Sequence, residues 1–132
     1  MDEDGDLEWW STPGSNYADV SIFAEVDLTG ISSAILSFDT WYRIEDYWDF
    51  GFVQVSNNGG ESWTSLENEY TTYDHITSEP AILANLPGIT SWSDGWLPMS
   101  FDLGTYAGQT IMIRFQLMKH TMTLGGLLTT SR

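Results

Sequence analysis

The sequence predicts an all-β chain folded as an antiparallel two-sheet β-sandwich. Three observations carry this: an apolar period of two in several segments, turn residues between them, and no amphipathic stretch of ten residues at helical spacing. Val20, Ile22, Ala24, Val26 and Leu28 alternate with Ser21, Phe23, Glu25 and Asp27. Leu36, Phe38, Thr40 and Tyr42 alternate with Ser37, Asp39 and Trp41. Gly51, Val53 and Val55 make a shorter series, and Leu97–Leu103 and Ile111–Leu117 repeat the pattern. Each reads as a strand with one dry and one wet face, the usual state of antiparallel sheets.

The punctuation agrees. Thr29-Gly30 ends the first series, and Gly104 to Gly108 joins the last two. Asn57-Asn58-Gly59-Gly60 separates Phe52–Ser56 from Trp63–Leu66, the strongest local hairpin signal in the chain. The exception is Glu67 to Gly95, long, without a clean period and holding Pro80 and Pro87. Loops of that length serve a function or wrap an edge. Leu83, Leu86, Ile89 and Trp92 are expected to cap one end of the sandwich, with ligand binding as the alternative.

Composition narrows the function. The chain has 132 residues, 19 Asp+Glu against 4 Lys+Arg, and a formal charge of −15. A phosphate backbone needs a basic face, so nucleic acid is excluded as an ordinary partner, and docking on anionic lipid is disfavoured. No apolar run approaches the roughly 18 residues of a membrane span. Cysteine is absent, which removes disulfides, thiol catalysis and cysteine zinc sites. Met1 to Asp6 is acidic and is no signal peptide.

The ordered motifs resemble a known family. Leu36–Thr72 (LSFDTWYRIEDYWDFGFVQVSNNGGESWTSLENEYTT), Ala81–Thr90 (AILANLPGIT) and Met99–Met118 (MSFDLGTYAGQTIMIRFQLM) look like the MAM-like β-sandwich module of immune inhibitor A-type, M6-like secreted metallopeptidases. Glu8–Ser11 (EWWS) and Ala24–Gly30 (AEVDLTG) fit its opening strand. The resemblance implies a jelly-roll fold, an extracellular or cell-surface location, and a non-catalytic accessory role beside other domains of a parent protein. The zinc helix HExxH of such a parent lies elsewhere. Only His75 and His120 occur here, neither in HExxH, so this chain is not expected to be an enzyme.

The resemblance divides the chain into a MAM-like domain, residues 1–118, and an atypical tail, 119–132. The tail holds none of the 19 acids and none of the 19 aromatic residues. Read one nucleotide earlier, permitted codons for it spell an acidic loop and WGFADDI, similar to the family's last strand. We therefore expect a frame change near Met118 and a last strand missing or altered. The tail should be loose or pair only by accident, Gly125-Gly126 being poor strand residues, unless Leu124, Leu127 and Leu128 close the core in another way.

Candidate sites are few. Glu45, Asp46 and Asp49 cluster between two strands, and an oxygen-rich loop suits a structural Ca²⁺; the competing reading is a solvated acidic turn. Of the seven Trp, Trp41 and Trp48 are the best outward rings for a ligand, against a reading of all seven as core and edge packing. Ser56-Asn57-Asn58-Gly59-Gly60-Glu61-Ser62-Trp63 resembles an Asp-box, SxDxGxxW, with Asn58 in the Asp position. The motif recurs in sialidase propellers, but one copy makes a hairpin, not a propeller. Asp74-His75 lacks a nucleophile placed by any motif. The accessory module, engaging a protein or glycan surface, is the preferred reading; a carbohydrate-binding module using exposed Trp rings is its rival, and a free-standing enzyme the weakest.

Overall fold

The computed structural model describes residues 7–10, 20–118 and 126–131, with side chains over 23–118. Its strands are β1 (Leu7–Trp10), β2 (Val20–Asp27), β3 (Ile35–Arg43), β4 (Phe50–Ser56), β5 (Thr64–Ser65), β6 (Leu97–Asp102), β7 (Thr110–Met118) and β8 (Gly126–Ser131). One sheet has the order β1-β8-β3-β6 and the other β2-β7-β4-β5, with every ladder antiparallel. First pairs with last, second with seventh, third with sixth, fourth with fifth. That is a long hairpin wound across two sheets, the jelly-roll winding. The expected helix-poor chain has a four-residue helix, α1 (Pro80–Leu83), and a 3-10 turn at Gly104–Tyr106. No described helix is long and apolar enough to cross a membrane.

The period-two segments become β2, β3, β6 and β7, and the alternation is oriented as expected on β3, β6 and β7; on β2, Ala24 is exposed and Val26 half-buried, and the Val20 and Ile22 side chains lie outside the described residues. On β3, Phe38, Thr40 and Tyr42 are buried while Ile35, Ser37, Trp41 and Arg43 are exposed. Phe38 joins the sheets: its ring stacks on Phe101 of β6 at 6.1 Å and meets Phe115 of β7 edge-on at 5.1 Å. Tyr42, Ile44, Val53, Ile89, Met99 and Leu117 complete this core, and Leu28, Val55, Leu103, Ile111 and Ile113 extend it. The two opening motifs are separate strands in different sheets, β1 and β2.

The tail differs from the expectation of a loose segment. Gly126–Ser131 runs between β1 and β3, pairing Thr130 with Glu8 on one side and with Asp39 on the other. The last strand is present as a ladder, because ladders use main-chain groups that any non-proline residue carries. Lys119 to Gly125 and the Leu127 and Leu128 side chains lie outside the described residues.

Strand β4 is buried along its whole length. Val53 and Val55 face the main core. Phe50 and Phe52 face the other way, where Ile82 of α1, Met118 and Leu86 cover them. The long segment therefore lies over the outer face of the β4 sheet rather than capping an end. Its anchor is Ile82, fully buried, and Ile89 enters the main core. Trp92, expected to pack, is 60% exposed. Pro80 starts α1 at a position where a missing N–H costs nothing. Antiparallel bridges Gly51↔Ile89 and Thr72↔Gly88 fasten the segment to the sheet.

Gly88 permits that closure. A Cβ there would stand 2.6 Å from Phe52 Cε1 and 3.1 Å from the Gly51 carbonyl. The Phe52 ring, stacked on Phe50 and walled by Ile82, has nowhere to retreat. Gly88→Ala is expected to destabilise the fold by about 1–3 kcal/mol, as overpacking does; a lower urea midpoint at unchanged slope would show it.

Candidate functional site

The expected site residues gather where β3 ends and the 44–49 turn meets residues 89–96. Glu45 and Asp46 are exposed, whereas Asp49 is buried. The turn is closed by Trp48 N–H and Asp49 N–H donating to the Glu45 carbonyl at 3.3 and 3.2 Å. Thr90 locks it: Oγ1 accepts from Tyr47 N–H at 2.9 Å and donates to the Asp49 carbonyl at 2.8 Å. Among the described residues, no three His, Cys, Asp or Glu side chains are placed to hold a metal ion.

Trp48 is half-buried, so of the two expected outward rings only Trp41 is exposed, at 38%. The rings presented most openly nearby are Trp92 and Trp96, at 60% and 55%. Main-chain bonds fix their loop: Ile44 N–H donates to the Ser91 carbonyl at 2.8 Å and Ser93 N–H to the Tyr42 carbonyl at 3.0 Å. Ser93 Oγ accepts from Tyr42 N–H at 2.9 Å and donates to the Gly95 carbonyl at 2.8 Å. Tyr47, Ser91 and Asp94 all have positive φ, at 61°, 77° and 55°. Non-glycine residues in this region are held there by their surroundings, here at one end of the sandwich.

Elsewhere the polar groups support the fold. Asn58 Oδ1 accepts from Ser56 Oγ at 2.7 Å and Ser62 N–H at 3.0 Å, and its amide donates to Ser62 Oγ at 2.8 Å. Asn58 thus organises the hairpin as the Asp-box resemblance implied. Trp63, at its end, is half-buried against Phe23 and under Arg114, whose guanidinium carbon lies 4.2 Å from the ring centre. His75 Nδ1 donates to the Thr77 carbonyl at 2.8 Å, a turn contact two residues away. His120 lies outside the described residues.

A buried network had no periodic signature. Gln54, fully buried, accepts from Arg114 Nε at 2.6 Å and donates to Asn85 Oδ1 at 2.8 Å and Ser65 Oγ at 3.0 Å. It joins four distant segments beneath the long loop. The only hint was a polar residue on a strand otherwise apolar on both faces.

A family model described as immune inhibitor A-like, MAM domain, matches residues 1–129. The pre-pro-metalloprotease PrtV of Vibrio cholerae serotype O1 is 34% identical over 96 residues, which are 73% of this chain and 9% of that protein. Bacillopeptidase F of Bacillus subtilis strain 168 is 31% identical over 85 residues, 64% of this chain and 4% of that protein. The chain thus spans less than a tenth of the length of these relatives.

Two outcomes follow from the geometry. Thr90→Val removes a buried hydroxyl with both a donor and an acceptor partner, and about 1–3 kcal/mol of stability should go with it in chemical denaturation. Burial pushes the Tyr42 phenol above its ordinary value of 10.0, with Tyr70 adding to the shift. Above that value the unfolded chain releases the proton while the folded one still holds it, so stability falls as pH rises. Melting temperatures taken across about pH 9–11 should decline, and Tyr42→Phe should flatten part of the decline.

Proposed function

The chain belongs to the immune inhibitor A-like MAM domain family, and from that premise we propose that it is a non-catalytic accessory β-sandwich module of a secreted M6-like metallopeptidase or a related cell-surface protein. One observation carries the reading: the family match runs along 1–129, yet the matched region is 9% of a relative named as a pre-pro-metalloprotease. A module of that size in such a protein contributes shape and contact surfaces while another region cuts.

The partners in this reading are other domains of the parent, with a protein or glycan surface engaged alongside. The compartment in this reading is extracellular or at the cell surface, which rests on the protease relatives. We also propose a frame change near Met118, with residues 1–118 as the MAM-like domain and 119–132 as an atypical tail, although the family match itself extends to 129.

Two measurements test this. The purified chain should leave casein intact with and without added Zn²⁺; cleavage abolished by a point substitution would overturn the non-catalytic role. Coding DNA around this chain should carry an HExxH region in the same parent, and the 119–132 codons should spell Trp-Gly-Phe in the neighbouring frame. Codons incompatible with that tripeptide end the frame proposal and leave the accessory role standing.

A further inference from the structure

We infer that the outer face of the β1-β8-β3-β6 sheet, at its β3–β6 side, binds a neutral polysaccharide, with Trp92 and Trp96 as its stacking rings. Three placements bring the parts together. Trp41 and Trp96 directly follow the last rung of the β3–β6 ladder, Thr40↔Leu97, and so flank one another. Thr40 is buried and Leu97 packs on the core, so both tryptophans take the opposite, outer face. Arg43 bridges to Trp92 across the antiparallel contact, and its guanidinium carbon lies 4.3 Å from the Trp92 ring centre.

On the same face, two rungs further along the β3–β6 ladder, lies a trough of about 250 Å³ lined by Ser37, Asp39, Pro98 and Ser100. A pyranose has an apolar C–H face and a rim of hydroxyls. Indole faces match the first, as exposed aromatic bodies beside polar groups do in binding surfaces. Serine hydroxyls and a carboxylate, which accepts at several lone-pair sites, match the second. The exposed Ser37, Ser100 and Asp94 around these rings favour a hydroxyl-rich chain over an apolar protein surface.

Charge selects among glycans. Asp39 and Asp94 stand beside the rings on a chain of net charge −15, so a polyanion is repelled. Arg43, spread over Trp92, holds that ring in place. The loop is preorganised by the Ser93 bonds and the left-handed Ser91 and Asp94, which lowers the ordering cost of binding. The inference goes beyond the accessory role and holds whatever parent carries the module.

Native affinity electrophoresis of the 132-residue chain tests it, with hydroxyethyl cellulose, xylan and galactomannan as neutral probes and alginate as the anionic one. Retardation by at least one neutral polymer is expected, persisting at high salt because stacking is little screened. Trp92→Ala and Trp96→Ala should each weaken it about tenfold, the scale of an aromatic hot spot. Trp92→Phe should restore part, and Tyr73→Ala, an exposed ring on another surface, should change nothing. Unchanged far-ultraviolet dichroism and melting temperature of Trp92→Phe keep folding separate from binding. Retardation by alginate alone, by no polymer, or surviving in the Trp92→Ala/Trp96→Ala double variant overturns the inference. So does sedimentation showing that these rings instead join two copies of the chain.

Discussion

Phe50 and Phe52 point away from Val53 and Val55, and both sets are out of water, so β4 buries apolar groups on both sides of its sheet. A sandwich supplies cover for one side only. The other side needs a further layer, and the 67–95 segment is that layer. Ile82 and Leu86 fill it, Gly88 lets the main chain press against Phe52, and the Gly51↔Ile89 bridge ends it. Having crossed the outer face, the chain turns inward with Ile89 and comes out beside Arg43 on the other sheet. One segment thereby ties both sheets, and the exposed rings at its end inherit their position from the burial of β4.

The polar groups under this layer are matched one to one. Gln54 sits where water cannot reach, and Arg114, Asn85 and Ser65 meet both ends of its amide. Leaving such a group unpaired costs far more than a made bond returns, so the network fixes one register of loop on sheet. The exposed edge is managed in a different way. Pro98 on the edge strand β6 has no N–H to offer, and the Asn68 amide donates to the Ser100 carbonyl at 2.9 Å. An edge so blunted is a poor template for another strand.

Strands with one wet face were legible because alternation writes itself into the sequence, as in Leu36 to Tyr42 and Ile111 to Leu117. The Asn58 hairpin was legible because its turn demands glycine at Gly59 and Gly60, both left-handed. Strand β4 was half-legible: Val53 and Val55 carry the period, while Phe50 and Phe52 occupied the places reserved for solvent. Without a second apolar face the loop had no reason to lie flat, so an end cap was expected and Trp92 was drawn inward. Trp48 and Trp92 exchanged roles for the same reason. Loop rings follow no period, and their exposure is set by tertiary bonds such as those of Ser93. The pairing of 126–131 was not legible, since side-chain composition says little about whether main-chain groups find a ladder.

The charge distribution links the last features. Among the described residues the cations are Arg43 and Arg114, and each lies over a tryptophan, 4.3 and 4.2 Å from the ring centre. A guanidinium on an indole gains most when water is partly removed, and in a chain this acidic it also sits in a favourable field. The two sites nevertheless differ. Arg114 donates to buried Gln54, and its Trp63 is half-covered, so that pair closes a hairpin onto a sheet. Arg43 stands on the outer face of β3, and its Trp92 keeps most of its surface in water. The same contact therefore seals one sheet and, on the other, holds an open ring steady beside a trough of hydroxyls and a carboxylate. Packing alone accounts for the first pair. It does not account for the second, whose exposed rings add little to the core.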